Sequence, residues 1–242
     1  MSHNVVILAV PGVQMLDVCG PIDVFAEANR VLRRDFYTLR ILSVTGPVVQ
    51  SSSGVKLSAD ASLTDCTELI TDTFIIAGAP EIARYQPDSR VLEKIDALCE
   101  SSRRYGSVCT GALLLALTGR LSGKRVTTHW ACADVLSVRH PEITVEAGAL
   151  YVADGRIRTA AGVTSGLDMA LRLVAAIRLY ESFSFELAEE WEGDQWGTVI
   201  TEQLYIRKIR YTKIFALDVA ASQQLRFTLD TSDALELLRG TK

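Results

Sequence analysis

A cysteine with small neighbours, Ser107 two residues before it and Gly111 two after, stands where the run Arg104-Tyr105-Gly106-Ser107-Val108 gives way to Ala112-Leu113-Leu114-Leu115-Ala116-Leu117. The first run reads as a strand and the second as a helix, with Cys109 on a sharp turn between them. A strand-to-helix turn of this kind, a nucleophile elbow, leaves no room for larger side chains at the two flanking positions. The chemistry it offers is that of a thiol nucleophile. Unpaired N–H groups and the dipole at the helix N-terminus favour the thiolate, so the thiol is expected to titrate below the free value of about 8.5. The alternative is a buried structural cysteine at a strand end, since free cysteine is among the most buried residue types.

The second chemical residue is Asp17, in the apolar setting Met15-Leu16-Asp17-Val18 that follows the first apolar run. Open α/β sheets bind ligands at this edge, and a carboxylate in apolar surroundings needs a partner. It is equally readable as a carboxylate satisfying helix N–H groups just downstream. If Asp17 and Cys109 meet at one sheet edge, they form a like-charge pair that cannot comfortably ionise twice. Either Asp17 holds a proton, its pKa raised by burial and by the sulfur charge, or the thiol keeps its own. A shared proton suits acid–base work. The Gly-containing exit Ala77-Gly78-Ala79-Pro80 can present backbone N–H groups to an anion. Amides near Ala79 and Thr110 are therefore expected to hold developing negative charge.

These residues need elements to position them. Val5 to Val10 is a continuous apolar run ending at Pro11-Gly12, as a buried parallel strand would be. Met15 to Asn29 turns to helical spacing, with Pro21 and Asp23 suited to a first turn. Phe36 to Val44 predicts a second strand, and Val48 to Leu63 a short hairpin and loop. Thr73 to Pro80 predicts another buried strand, and Asp88 to Cys99 an amphipathic helix with Val91, Leu92, Ile95 and Leu98 on one side. Beyond the elbow helix, Arg125 to Thr128 is a strand, and His129-Trp130 opens a helix to about Arg139. Two short strands flank the turn at Asp154-Gly155. Gly162-Val163-Thr164-Ser165 starts a helix to about Leu179, its small residues allowing close packing and capping. Strand and helix alternate as in a doubly wound parallel sheet with right-handed crossovers.

The chain has 242 residues, 48% of them hydrophobic and 22% charged, which suits an ordinary globular protein with a sizeable core. A net charge of −4 argues against a strongly basic nucleic-acid-binding surface. Five cysteines without a CxxC pair, and a start that enters a strand with no basic leader, lead to the expectation of a reduced cytoplasmic protein. No apolar run approaches the roughly 20 residues of a membrane helix. From about Glu181 the character changes. An acidic stretch, Glu186 to Glu192, is followed by a basic one, Ile206 to Lys213, readable as partners in one appendage or across a dimer interface. The division expected is residues 1–180 as one domain and 181–242 as an extension of no assigned role.

Four motifs, Leu16-Asp17-Val18-Cys19-Gly20-Pro21, Ser107-Val108-Cys109-Thr110-Gly111, Thr127-Thr128-His129-Trp130 and Thr159-Ala160-Ala161-Gly162-Val163-Thr164-Ser165-Gly166-Leu167-Asp168, together resemble the ThiJ/PfpI superfamily, related to class I glutamine amidotransferases. The resemblance spans residues 5 to about 179. It implies an α/β, flavodoxin-like doubly wound parallel sheet sandwiched by helices, usually as a homodimer, with the cysteine on the elbow. Two branches share the motifs: isonitrile hydratase-like enzymes and the N-terminal sensor domains of AraC-type transcriptional regulators. The enzyme branch implies catalytic roles for Cys109, Asp17 and Thr110; Gly78, Ala79, Gly20 and Thr164 are expected around substrate or oxyanion, although the Ile76-Ala77-Gly78-Ala79-Pro80 exit departs from the Pro-Gly-Gly common in the superfamily. Protease-like members carry histidine directly after the cysteine, where this chain has Thr110. His129 is a possible base whose motif points to a structural role; His140 is expected at the surface and His3 frayed. No metal and no cofactor is expected, and the partner is a small-molecule substrate or ligand. The stretch after Leu179 shows no helix-turn-helix pair, so this chain is not expected to bind DNA.

Overall fold

In the computed structural model the described residues are 3–65, 70–174 and four strand segments between 186 and 229; Cys66 lies outside them. The chain divides into two compact units, Met1–Val174 and Ala175–Lys242.

The first unit begins with β1 (His3–Ala9), α1 (Met15–Leu32) and β2 (Tyr37–Ser43). Then come a hairpin of β3 (Val48–Gln50) and β4 (Lys56–Ser58), the short β5 (Ala61–Ser62), β6 (Thr73–Ile76) and a 3-10 turn at Ile82–Arg84. α2 (Ser89–Ser101) leads into β7 (Arg104–Val108) and α3 (Gly111–Ala116). The unit closes with β8 (Arg125–Val126), α4 (Trp130–Arg139), β9 (Thr144–Val145), β10 (Tyr151–Asp154), β11 (Ile157–Ala160) and α5 (Thr164–Leu173). Seven strands form one sheet in the order β10-β11-β7-β6-β1-β2-β5, parallel except for the β10–β11 pair.

The order follows from the apolar runs. β1 is buried from Val5 through Ala9 and lies at the centre, between β6 and β2. From β1 the chain winds one way to β2 and the other way through β6 and β7 to β11. The switch point lies between β1 and β6, and it is outside the carboxyl ends of strands at such a point that open α/β sheets form a crevice. The segments leaving β1, β6 and β7 there carry Asp17, Gly78 and Cys109.

Two local expectations change. α1 starts at Met15, so Pro21 lies in its interior and not in its first turn, and proline there removes the bond to the Asp17 carbonyl. His3 is not frayed: it pairs with Tyr37 across β1–β2, and its Nδ1 lies 3.1 Å from Asp72 Oδ1. α2 is held at both ends. Asp88 accepts from Val91 N at 2.9 Å to start α2. Arg156 Nη2 donates to the carbonyls of Cys99 (2.7 Å), Glu100 (2.8 Å) and Ser102 to finish it.

In the second unit β12 (Glu186–Gln195), β13 (Thr198–Arg207), β14 (Phe215–Val219) and β15 (Leu225–Leu229) make an antiparallel sheet in sequence order. The acidic stretch runs along β12 against Thr201–Ile206 of β13. The basic stretch enters the sheet only at its start, and residues 208–213 lie outside the described residues. Among the described residues no helix is long and apolar enough to cross a membrane.

Candidate active site

Cys109 sits on the turn with φ 58°, between β7 and α3. A non-glycine residue in this left-handed region costs about 1–3 kcal/mol, so the surrounding structure must hold it there. Its N–H donates to Ala160 O at 2.9 Å, and its carbonyl accepts from Thr128 Oγ1 at 2.9 Å. Glycines wall the side chain. A Cβ at Gly78 would come within 2.7 Å of Cys109 Cβ, and one at Gly162 within 2.7 Å of Cys109 Sγ. Gly111 is needed for the elbow itself, since a Cβ there would meet Ile76 O at 2.3 Å. Ser107, the other small flanking residue, is buried, and its Oγ has no hydrogen-bond partner among the described residues.

Asp17 reaches the thiol from the first turn of α1 and is 0% exposed. Its Oδ2 accepts from Gly78 N at 3.2 Å and its Oδ1 from Val163 N at 3.0 Å, and its carboxylate also accepts from the Cys109 thiol. The partners are amides far along the chain, so Asp17 is not occupied with helix N–H groups just downstream. Burial raises the carboxyl to about 6, although the Val163 amide, the Cys109 thiol and the Gly78 amide all hold it down.

The expectation of a lowered thiol pKa is overturned. Burial first, then the Asp17 charge, push Cys109 up to about 12. The Thr110 amide, which donates to the sulfur, opposes this without prevailing. α3 spans only Gly111–Ala116, so few peptide dipoles add at its start. At neutral pH the pair holds one proton, on sulfur, hydrogen-bonded to an ionised Asp17. The sulfur charge therefore does not raise the Asp17 pKa; the second alternative, a thiol that keeps its proton, is the one realised.

The backbone donors are more committed than expected. Thr110 Oγ1 accepts from Ala79 N at 2.9 Å and donates to Ala79 O at 2.8 Å. The Ala79 amide is thus engaged by Thr110 and the Gly78 amide by Asp17, which leaves neither waiting for an oxyanion. Gly20 lies on α1 against α5, where a Cβ would come within 3.1 Å of Leu167 Cδ2, so its visible role is close helix packing. Thr164 is exposed at the start of α5, one residue after Val163. His129 caps α4, its Nδ1 accepting from Ala131 N at 3.3 Å, and its ring lies 5.3 Å from that of Trp130. His140 ends the same helix, 3.3 Å from Glu142 Oε1.

The structure thus brings together Cys109, Asp17, Thr110, Gly78 and Ala79. It adds two residues to which the sequence reading gave no part in the site, Gly162 and Val163. Val163 has φ 51° and ψ −106°, a strained conformation for a β-branched residue, and this conformation aims its amide at Asp17. The Gly-Val-Thr-Ser run was visible as a helix start. The strain was not, because propensity alone argues against valine at positive φ.

The DJ-1/PfpI family model matches residues 3–176 of the chain. An isonitrile hydratase from Pseudomonas putida is 33% identical over 173 residues, covering 72% of this chain and 71% of that protein. The HTH-type transcriptional regulator CdhR from Pseudomonas aeruginosa is 26% identical over 212 residues, 87% of this chain but only 57% of the regulator. Among solved structures, a ThiJ/PfpI family protein from Pseudomonas syringae superposes with a TM-score of 0.64 at 25% identity, covering 75% of this chain and 73% of that one. An AraC family transcriptional regulator from Pseudomonas putida superposes with a TM-score of 0.61 at 22% identity, covering 75% of this chain and 100% of that one.

Proposed function

Since the chain belongs to the DJ-1/PfpI family, we propose that it is a cysteine-dependent hydratase or hydrolase acting on a small uncharged substrate such as an isonitrile, with Cys109 as nucleophile and Asp17 as its proton partner. The observation that carries this reading is the contact between a fully buried carboxylate, held by the Gly78 and Val163 amides, and the thiol on the strand-to-helix turn. A thiol held near 12 is a poor nucleophile by itself and needs a base within reach, and Asp17 is that base. As sulfur bonds to the terminal carbon of R–NC, its proton passes through Asp17 to the same carbon, giving an S-linked imidate, R–N=CH–S. Water then adds to that carbon, one of its protons passing through Asp17 to the nitrogen, which gives R–NH–CH(OH)–S; the remaining hydroxyl proton is the one that Asp17 carries to sulfur in the next step. The C–S bond breaks, the sulfur recovers a proton, and R–NH–CHO leaves. The sum is addition of one water, with no oxidant or reductant. A carboxyl near 6 can give and take protons at neutral pH, as these steps require.

An uncharged substrate suits a site that already holds one negative charge. Cys109→Ala is expected to abolish conversion of an isonitrile to its N-formamide, followed by chromatography of the product. Equal rates in mutant and wild type would overturn the assignment.

A second reading is a non-catalytic ligand-sensing domain of the AraC-type kind. The engaged Gly78 and Ala79 amides and a Cys109 only 7% exposed favour it. It requires saturable binding with the ligand recovered unchanged, whereas the enzymatic reading requires its consumption. In both readings residues 1–180 form the functional domain, the partner is a small molecule, and the working form is a homodimer.

A further inference from the structure

Ser165 sits at the second position of α5 and is 4% exposed. Its hydroxyl closes a ring on one residue: Oγ accepts from Gly162 N at 2.7 Å and donates to Gly162 O at 2.8 Å. The Ser165 amide adds a further bond to Gly162 O at 3.1 Å. The segment held this way is the strained one, with Gly162 at φ 120° and Val163 at φ 51°. The strained pair makes two contacts with the reacting groups. Gly162 lies against Cys109 Sγ, and Val163 N donates to Asp17 Oδ1 at 3.0 Å. A valine at positive φ relaxes unless something holds it; Gly166 N donates to Val163 O at 3.3 Å, and the serine clamp fixes the preceding residue from both its N–H and its carbonyl.

We propose that Ser165 is a positioning residue, whose hydroxyl locks the Gly162–Val163 turn so that the Val163 amide stays on Asp17 and sets how tightly that carboxyl binds its proton. The inference rests on the reading of Asp17 as the proton partner of Cys109. The titratable group that faces Asp17 from the elbow is the Cys109 thiol, which in turn feels Cys132 from α4. The β6 exit and the 162–163 turn bring backbone amides. Of the three hydrogen bonds that favour the ionised carboxyl, the Val163 amide has the largest effect. Freeing the turn withdraws that bond and leaves burial less opposed, so the proton is held more tightly.

The test is a titration of the Asp17 side-chain carboxyl by carbon-13 NMR in the full chain, with Asp17→Asn used to assign the signal. Ser165→Ala is expected to move the Asp17 midpoint upward by about half a unit or more, and Ser165→Thr, which keeps the hydroxyl, to restore the wild-type value. An unchanged midpoint in Ser165→Ala would overturn the proposal, as would equal shifts in both variants, since packing and not the hydroxyl would then be responsible. If Ser165→Ala does not fold, Ser165→Cys, which fills the site with a weak hydrogen-bonding group, is read in the same way. The titration needs no substrate, so failure of the hydratase reading leaves this result interpretable.

Discussion

At the scale of the residue, the site is a question of where one proton resides. At neutral pH that proton is on Cys109; Asp17 takes up a second one near 6 in the folded chain, above its ordinary value of 3.8. The folded state therefore holds more protons than the unfolded one between those values, and stability falls as pH rises through them. The full effect is about 3 kcal/mol. Asp17→Asn removes the titration, so its stability relative to wild type should increase by up to about 3 kcal/mol between pH 4 and pH 8. Urea unfolding at both pH values reads this, and a difference that does not change with pH would mean Asp17 is not raised. The same variant keeps shape but cannot pass a proton. Under the hydratase reading it should retain ligand binding and lose turnover by about 10² or more, and full activity would remove Asp17 from the proposed mechanism.

Elements bring these residues together, and glycine decides how closely. β7 lies between β6 and β11, and at Gly106 the backbone of β11 comes so near that a Cβ would stand 1.5 Å from Arg158 O. That neighbour is backbone in the middle of a sheet and cannot turn aside. Gly106→Ala should cost about 4 kcal/mol or more and yield little folded protein. Gly148 is the control, exposed, with open space around its Cβ position. Gly148→Ala should leave the thermal midpoint within a degree or two of wild type, roughly the effect of an ordinary surface substitution. Soluble, cooperative unfolding of Gly106→Ala would show that β7 and β11 can separate, and the elbow that follows β7 would then be less rigid than described.

Across the first unit, the two edges of the sheet carry different work. The carboxyl edge holds the strained and buried groups; the amino edge holds a stabilising charge cluster. There Asp72, just before β6, accepts from Arg103 Nε at 2.8 Å and lies 3.1 Å from His3 Nδ1, tying β1, β6 and β7 together. Although burial pushes the other way, hydrogen bonds from Arg103, Thr73 and His3 bring its carboxyl down to about 2. The sign is opposite to that of Asp17. Stability from Asp72 is present above its unfolded value of 3.8 and is lost as pH falls toward 2. Because Arg103 is largely open to solvent and His3 partly so, the contribution is about 1 kcal/mol. Asp72→Asn should be that much less stable than wild type at pH 6 and equal to it near pH 2, measured by urea midpoints. A deficit that persists at pH 2 would assign the effect to packing.

The fold was legible because its signals are local. Continuous apolar runs such as Val5 to Val10 identify buried parallel strands, the apolar spacing from Val91 to Leu98 marks a helix, and Asp154-Gly155 marks a turn from a few adjacent residues. The elbow and the meeting of Asp17 with Cys109 were legible too, because a parallel sheet delivers the segments after its strands to one edge. The electrostatics were not. Whether a helix start lowers a thiol pKa depends on helix length and on burial by residues distant in sequence, and here burial prevailed. Which amides remain open likewise depends on bonds from Gly78 to Asp17 and from Ala79 to Thr110. The strained turn at Val163 was hidden for the same reason: its conformation is held by a serine two residues on and rewarded by a carboxylate from the other end of the domain, and only the folded chain joins the two.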